Sequence, residues 1–392
     1  MSWKETCPMN ERVRFIGELL AEERSMSELC TLYGVSRKTG YKWLARYEAA
    51  GASGLEDRSH APLQQALAVD AALVQRLVQA RCQHPSWGPR KLLAWLHTRH
   101  PRLKWPAAST VGEILCRHGL VSPRKRTHKS PAHQGALIIP DAPNVLWCTD
   151  FKGQFRTGDA RYCYPLTLTD AFSRYLLLCR GVLKPDAASV WRWFERAFQE
   201  HGLPLVIRSD NGPPFASKAL AGLSHLSVWW IKLGIMPERI RPGCPQQNGR
   251  HERMHRTLKH ETIRPAAASL CAQQRAFDRF VTEYNDERPH EALGQRPPNS
   301  MYRSSTRAYP RRVPHIEYPD SYTVRHVRYN GEVKWHGHLV YVSQVLPGEP
   351  VGFYQIDEHT WRVYFGMLQL GLLDTRTHCI TTAPKQNAEA TL

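Results

Sequence analysis

Two carboxylates in this sequence end apolar segments that are typical of buried strands. Asp150 follows Leu146-Trp147-Cys148-Thr149, and Asp210 follows the short apolar segment 205–207 and Ser209. Strand ends lie at the rim of a sheet, where a side chain can reach solvent and metal. Asn211-Gly212 predicts a tight turn that leaves the Asp210 carboxylate free. A third carboxylate, Glu252, falls in the first turn of a helix that follows a Pro/Gln/Asn/Gly loop.

Several motifs around these acids occur in a fixed order along residues 144–300. They are Trp147-x-x-Asp150, Thr169-Asp170-Ala171-Phe172-Ser173-Arg174-Tyr175, Ser209-Asp210-Asn211-Gly212, Gln247-Asn248-Gly249-x-x-Glu252-Arg253 with Thr257-Leu258-Lys259, and Tyr284-Asn285-x-x-Arg288-Pro289-His290-x-x-Leu293. This series resembles the insertion-sequence transposases with an integrase catalytic core, a DDE superfamily related to retroviral integrases. The resemblance implies an RNase H-like α/β core and a catalytic, metal-binding triad of Asp150, Asp210 and Glu252. The segment between Asp210 and Glu252 is longer than is usual in the family, and we expect the extra residues around Gly222 to Gly234.

The chemistry of three carboxylates agrees with that triad. Oxygen ligands suit hard cations such as Mg²⁺ or Mn²⁺. Two such ions can stabilise the attacking and leaving oxygens of a phosphodiester. We expect Asp150 to bridge two ions, Asp210 to hold one and Glu252 the other. Taken singly, each acid is better explained by a structural role: Asp150 as a capping residue, Asp210 as a turn residue and Glu252 as a helix-start residue.

Basic residues follow Glu252 on the same helix. Arg256 and Lys259 lie four and seven residues further on, hence on the same face. In the family such residues contact DNA phosphates beside the active site. The alternative is a pair of solvated surface charges.

A competing motif overlaps the third carboxylate. His251-Glu252-Arg253-Met254-His255 matches the H-E-x-x-H pattern of zinc metalloproteases. The longer form of that pattern needs Gly and His further on, where this chain has Leu258 and Glu261. A protease also leaves Asp150 and Asp210 without a role. A third class is a DNA-binding regulator without catalysis, which the intact set of carboxylates argues against.

The elements before the core predict DNA binding. The pattern of residues 10–49 predicts three short helices, with Val13, Ile16 and Leu20 on the inner face of the first and Leu29 and Leu32 inward on the second. Ser36 caps the third helix, on which Tyr41 and Leu44 face inward. Helix, glycine turn and basic helix indicate a helix-turn-helix domain over 8–60. Its outward basic residues are Arg37, Lys38, Lys42 and Arg46. A small bundle with a solvated basic face is the alternative.

Four further segments complete the predicted organisation. Residues 68–121 form a second helical domain, either another helix-turn-helix or a spacer or dimerisation bundle. Residues 122–143 are a basic linker with candidate DNA contacts at Arg124, Lys125 and Arg126. The α/β core covers 144–300. A small all-β barrel covers 318–376, with a hairpin turn at Asn330-Gly331.

The totals fit a multidomain, DNA-binding enzyme. A chain of 392 residues suggests two to four domains at roughly 100–200 residues each. The net charge of +18 favours a polyanionic partner. Ten cysteines include no C-x-x-C pair, and no apolar run is long enough to cross a membrane. We therefore expect a protein of the bacterial cytosol that binds double-stranded DNA at element ends and targets, assembles as a homo-oligomer and has no membrane partner.

Overall fold

The structure is a computed structural model that describes residues 7–57, 69–121, 137–217, 219–241 and 244–382. Its contacts divide the chain into two compact units, residues 1–68 and 69–392. Among the described residues, no helix is long and apolar enough to cross a membrane.

The first unit is a three-helix domain. Its helices are α1 (Pro8–Leu20), α2 (Met26–Leu32) and α3 (Arg37–Ala50), followed by a 3₁₀ turn at Gly51–Leu55. Ser25 and Glu28 form a capping box at the start of α2, and Ser36 caps α3. Gly34, with φ +64°, turns the chain between α2 and α3. This is the predicted helix-turn-helix order.

The core of this domain differs from the predicted inner faces. Phe15, Ile16, Leu29, Cys30 and Leu55 are buried, whereas Val13, Leu20, Leu32 and Tyr41 are exposed. Gly40 explains the exposure of Tyr41, because α3 packs through this glycine. A Cβ there would lie 2.7 Å from Met26 Sδ and 2.8 Å from Cys30 Sγ. The closest part of the helix is therefore backbone, and Tyr41 points away from it.

The second unit begins with three more helices. They are α4 (Ala71–Gln83), α5 (Pro89–Arg99) and α6 (Ala108–Arg117). Leu77, Trp87, Leu92, Val111 and Leu115 form their buried core. Arg81 ties the two ends of this group together by donating to the carbonyls of Trp87 and Leu120.

A mixed sheet forms the centre of the second unit. Its strands run in the order β4–β3–β1–β5–β6, with a short β2 also pairing with β3. Strands β1, β3 and β4 are antiparallel neighbours, while β5 is parallel to β1 and β6 is parallel to β5. The bounds are β1 Leu146–Phe151, β2 Phe155–Arg156, β3 Tyr162–Asp170, β4 Leu176–Val182, β5 Val206–Ser209 and β6 Met236–Arg239. This arrangement fits the predicted RNase H-like α/β core.

Four helices pack on this sheet. They are α7 (Ala187–His201), α8 (His225–Lys232), α9 (Gly249–Leu258) and α10 (Leu270–Thr282). Two π-helical turns, Lys259–Ile263 and Glu283–Glu287, continue α9 and α10. Trp147, Phe194, Phe198 and Trp230 fill the core between sheet and helices.

Helix α8 lies in the segment where extra residues were expected, and it contributes to two cores. Trp229 and Trp230 pack into the core of the mixed sheet. Val228 and Ile231, on another face of the same helix, pack into the core of the C-terminal β unit. Lys232 adds an ion pair of 2.6 Å to Glu349 of that unit.

The C-terminal unit is all β, but its strands do not pair as the sequence predicts. The strands are β7 Thr323–His326, β8 Glu332–Trp335, β9 His338–Tyr341, β10 Pro350–Gln355, β11 Thr360–Phe365, β12 Leu368–Asp374 and β13 Cys379–Thr381. They form a five-stranded sheet in the order β13–β12–β11–β10–β7 and a separate pair β8–β9. The predicted turn at Asn330-Gly331 forms: Gly331 N–H donates to the carbonyl of Arg328 at 2.9 Å, and Arg328 N–H donates to that of Glu332 at 2.8 Å. The flanking strands do not extend it into a hairpin, because β7 pairs with β10 and β8 pairs with β9. The Gly331 carbonyl also accepts hydrogen bonds from the backbone of Val342 and Ser343.

Candidate active site and nucleic-acid interface

The strand register brings Asp150 and Asp210 side by side. Strand β1 pairs in parallel with β5 from Leu146 opposite Val206 to Cys148 opposite Arg208. Continued by two residues, this register sets Asp150 opposite Asp210. Neighbouring strands are about 4.8 Å apart, so the two carboxylates share one edge of the sheet. The turn after Asp210 is held by Asn211, whose side chain donates to the carbonyl of Ile240 at 2.6 Å.

The electrostatics of this edge are those of acids held close together. Burial, the charge of Asp210 and, to a smaller extent, the charge of Glu252 together raise the pKa of Asp150 to about 7. Burial also raises the pKa of Asp210, against a hydrogen bond from the backbone of Gly212. The Oδ1 atom of Asp210 is buried without a hydrogen-bond partner. A Cβ at position 212 would lie 3.0 Å from Asp210 Oδ2, so glycine leaves room for this carboxylate.

Glu252 lies in the first turn of α9 and is exposed. Its negative charge contributes to the raised pKa of Asp150. Across the described ranges, no three His, Cys, Asp or Glu side chains lie close enough together to hold one metal ion. Asp150, Asp210 and Glu252 therefore do not form a cluster of three ligands around one point.

The two histidines of the H-E-x-x-H motif are buried against the sheet rather than grouped with Glu252. His251 Nε2 and His255 Nε2 each lie 2.7 Å from the hydroxyl of Thr167, and His251 Nδ1 lies 2.8 Å from that of Thr169. Burial lowers the pKa of His251 to about 3 and that of His255 further. Both rings are therefore neutral at pH 7. His251 has both nitrogens bonded to threonine hydroxyls, which is incompatible with a zinc ligand.

Thr167 connects these histidines to Asp150. The two residues are direct partners across the antiparallel pair β1–β3, and the Thr167 hydroxyl donates to the Asp150 carbonyl at 3.0 Å. His255 Nδ1 lies 3.8 Å from Asp150 Oδ2. The sequence contained a signal for this contact, because His251, Met254, His255 and Leu258 have the i, i+3, i+4, i+7 spacing of a buried stripe.

The predicted DNA contacts differ in how free they are. Arg37, Lys38 and Lys42 are exposed along α3. Arg46 is half-buried, donates to the carbonyl of Glu56 at 2.6 Å and lies 4.5 Å from the centroid of the Trp43 ring. Arg256 is exposed on α9, and Lys259, also exposed, begins the π-helical turn after it. Arg124, Lys125 and Arg126 lie outside the described residues.

A polar seam joins the second group of helices to the core, and sequence reasoning missed it. His84 lies 2.8 Å from Glu283, Trp95 donates to Glu287 at 3.3 Å, and Arg99 pairs with Glu287 at 3.1 Å. Ser86 donates to Glu261, which also pairs with Arg288 at 2.7 Å. The acids come from the π-helical turns after α9 and α10 and have no periodicity by which the sequence could reveal the seam.

Family models match both halves of the chain. Two models described as integrase core domain match residues 140–245 and 233–298. A helix-turn-helix domain model matches residues 11–62, and a homeodomain-like domain model matches residues 39–115. The last match extends into the second helical group, whose function the sequence left open.

Relatives include proteins of insertion elements and of retroviruses. The chain is 28% identical over 231 residues to the insertion element IS476 uncharacterized 39.2 kDa protein of Xanthomonas euvesicatoria, covering 58% of this chain and 63% of that protein. It is 27% identical over 241 residues to the insertion element IS407 uncharacterized 31.7 kDa protein of Burkholderia multivorans, covering 58% and 80%. It is also 30% identical over 183 residues to the Gag-Pol polyprotein of baboon endogenous virus, covering 44% and 10%.

Two solved structures that are similar to this chain are catalytic core domains of integrases. The catalytic core domain of HTLV-2 integrase in complex with magnesium matches 42% of this chain and 99% of that one, with 17% identity and a TM-score of 0.34. The catalytic core domain of BIV integrase matches 41% and 93%, with 21% identity and a TM-score of 0.31.

Proposed function

We propose that this chain, a member of the insertion-sequence transposases with an integrase core, binds the ends of a mobile DNA element and cuts and joins DNA strands there. The catalytic residues in this proposal are Asp150, Asp210 and Glu252. The observation that carries it is the parallel register that sets Asp150 beside Asp210, with Glu252 close enough to act on Asp150. Acids held close together repel one another, and such an unfavourable arrangement is typical of a functional site.

The residues at this edge fit a divalent cation. Asp210 Oδ1 is buried and lacks a hydrogen-bond partner, and Asp150 has no ion pair with a lysine or arginine among the described residues. Carboxylate oxygens in this state are the ligands that Mg²⁺ and Mn²⁺ prefer. Among the described residues, no three such side chains surround one point, and a two-ion arrangement does not need them to, because each ion takes two of the three carboxylates. We propose two ions, with Asp150 a ligand of both.

Bound divalent ions supply Lewis-acid stabilisation to the attacking and leaving oxygens of the phosphodiester. The chain's own residues orient the ligands. Thr167 and His255 fix the end of β1 at Asp150, and Gly212 donates from its backbone to Asp210. Arg256 and Lys259, exposed beyond Glu252, contact the DNA backbone. No covalent intermediate with the enzyme is required.

The remaining parts of the proposal concern the other domains. The helix-turn-helix domain at 8–60 recognises element ends, with Arg37 and Lys38 nearest the bases. The helical domain at 68–121 and the basic linker at 122–143 extend the DNA contact, and the core covers 144–300. The β unit at 318–376, which we expect to be a barrel, holds DNA or a neighbouring subunit. Because two element ends must be held together, the protein acts as a homo-oligomer on DNA, in the bacterial cytosol.

The test is incubation of the full chain with duplexes that carry the flanking element ends and Mg²⁺, followed by mapping of nicks. Asp150→Asn, Asp210→Asn and Glu252→Gln should each abolish cleavage and strand transfer, because each removes a ligand. Binding to the ends should survive in all three. A variant that cleaves like the wild type removes its residue from the triad.

A second readout does not depend on activity. Without divalent cations, Asp150→Asn should melt at a higher temperature than the wild type, because it removes a charge that burial and Asp210 disfavour. Mg²⁺ should raise the melting temperature of the wild type but not that of Asp150→Asn. An equal response of both proteins to Mg²⁺ contradicts metal binding at Asp150.

A further inference from the structure

We propose that Arg174, Arg250 and Arg253 form an anion site of the core. This site binds a backbone phosphate of DNA on the flank of α9 opposite Glu252. The inference rests on the proposed function, since it takes DNA as the source of the phosphate. None of these arginines belongs to the basic residues already assigned to DNA.

Two of the guanidinium groups converge on one carbonyl oxygen. Arg174 Nη1 and Arg250 Nη1 both donate to the carbonyl of Ala171, the latter at 3.3 Å. Arg174 adopts φ +67°, a conformation that L side chains rarely occupy. The turn that follows β3 therefore holds one arginine in a strained conformation while a second, from α9, approaches the same point.

These charges have no acidic partner. Among the described residues, no carboxylate lies within 4.0 Å of the guanidinium of Arg174, Arg250 or Arg253, although the chain pairs many other arginines. Arg253 instead donates to the carbonyl of Gly249, one turn earlier in α9. Burial and the charges of Arg250 and Arg253 lower the pKa of Arg174 to about 10, yet a guanidinium stays protonated at pH 7. Clustered cations without an acid are stabilised by a bound anion.

The positive region continues toward the seam with the second helical group. Lys91 of α5, Arg288 and Arg174 all act on His290, whose pKa is lowered to about 3 by burial and by these charges. His290 Nε2 is buried without a hydrogen-bond partner. Arg288 and Lys91 are partly balanced by Glu261 and Glu291, so the uncompensated charge is centred on the three arginines.

The position of the cluster relative to the triad suits a DNA strand. The backbone N–H of Ala171 donates to the carbonyl of Leu146 at the start of β1. Leu146 lies four residues before Asp150, a separation of about 13 Å along a strand. At about 3.4 Å per base pair, that spans roughly four base pairs. At 100° per residue around α9, Arg250 and Arg253 lie on one flank while Glu252 and Arg256 lie on the other. A duplex cut at the triad can therefore cross α9 and contact both flanks.

The experiment compares the full chain with Arg250→Gln, Arg253→Gln and Arg250→Lys in binding to a random-sequence duplex across about 50 to 200 mM salt. The matched control is Arg275→Gln, which removes one exposed arginine from α10. Each glutamine variant at the site should lower the slope of log affinity against log salt by about one. Arg250→Lys should keep the slope, and Arg275→Gln should leave it unchanged. Without DNA and at low salt, Arg250→Gln should melt at a higher temperature than the wild type.

The outcomes separate this site from the proposed function. If the wild type cleaves element ends while Arg250→Gln and Arg253→Gln bind DNA with the same slope as Arg275→Gln, the phosphate site is overturned and the transposase proposal stands. A lower melting temperature for Arg250→Gln with an unchanged slope shows a structural arginine and also overturns the site. Absence of DNA binding by the wild type overturns both proposals.

Discussion

At the scale of single residues, the hydroxyl of Thr167 is the point on which the core beside the proposed triad is organised. It contacts His251, His255 and the backbone of Asp150, but it has only one proton to donate. Because that proton goes to the Asp150 carbonyl, both histidines must donate to the hydroxyl through Nε2–H. The Nδ1 atom of His255 then presents a lone pair toward Asp150 Oδ2, where a proton or a cation is stabilised. The two histidines thus support the carboxylate without belonging to a zinc site.

This arrangement predicts what replacing both histidines does. The double variant His251→Gln, His255→Gln should keep measurable Mg²⁺-dependent cleavage, since neither ring is part of the triad. It should also lose stability by about 1–3 kcal/mol, because buried partners of Thr167 and Thr169 are disturbed. Urea denaturation and nick mapping measure the two effects. Stoichiometric zinc in the purified wild type, lost in the variant, would favour a metalloprotease instead.

A buried histidine elsewhere gives a dependence of stability on pH. Burial, together with the charges of Lys91, Arg288 and Arg174, lowers the pKa of His290 in the folded state to about 3, while the Tyr284 ring packs against it. In the unfolded chain the pKa is about 6.5. Because the unfolded state binds the extra proton, the free energy of unfolding falls as pH drops from about 6.5 toward 3. His290→Asn should reduce the slope in this range by up to about 1.4 kcal/mol per pH unit, measured by denaturation.

The sequence contained part of this residue-scale information. An acid that directly follows an apolar segment is predicted to lie at a strand end, and so at the edge where Asp150 and Asp210 meet. This prediction needs only neighbouring residues in the sequence. The partners of the histidines could not be predicted, since Thr167 is more than eighty residues away along the chain. The approach of Arg174 and Arg250 to the same carbonyl of Ala171 likewise depends on residues far apart in the sequence.

At the scale of elements, local signals succeeded where no distant contact competes with them. Ser36 caps α3 and Gly34 turns the chain before it, as the residue types predict. Asn330-Gly331 has an equally clear local signal, yet its flanking strands pair elsewhere. The backbone of Gly331 is engaged with Val342 and Ser343, and Phe353 and Val333 share a core that selects the observed pairing. The turn itself forms, and tertiary packing decides which strands pair.

The recognition helix gives an element-scale prediction. Arg37→Ala and Lys38→Ala should weaken binding to cognate ends by about 1–3 kcal/mol and affect random DNA less, because these exposed residues begin α3. Arg46→Ala should instead lower the stability of the domain, since its guanidinium holds the carbonyl of Glu56 and packs on Trp43. Binding titrations with both DNAs, together with melting curves, measure this difference. If Arg37→Ala and Lys38→Ala lose only general affinity, recognition of the ends lies in another element.

At the scale of the whole molecule, α8 couples the C-terminal β unit to the catalytic core within the second unit. Ile231→Ala should cost about 2–5 kcal/mol, as for other large-to-small core substitutions. It lies within the β-unit core and contacts Gly366, where a Cβ would approach its Cγ2 at 2.9 Å. Leu183→Ala is the control, because Leu183 is 51% exposed and should change stability by at most about 0.5 kcal/mol. Urea denaturation that finds equal effects of both variants contradicts the shared packing.

This double role of α8 restricts how such proteins can exchange parts during evolution. A C-terminal β unit acquired by recombination from a relative arrives without its own α8, because that helix lies before Glu252 in the chain. The acquired β unit has to pack against Val228 and Ile231 of the recipient chain. Side chains that do not match them leave a void or a clash. Successful chimeras should therefore have their crossover point before residue 219, so that helix and β unit are inherited together. A part of the chain that looks like an insertion thus sets the compatibility between catalytic core and accessory domain.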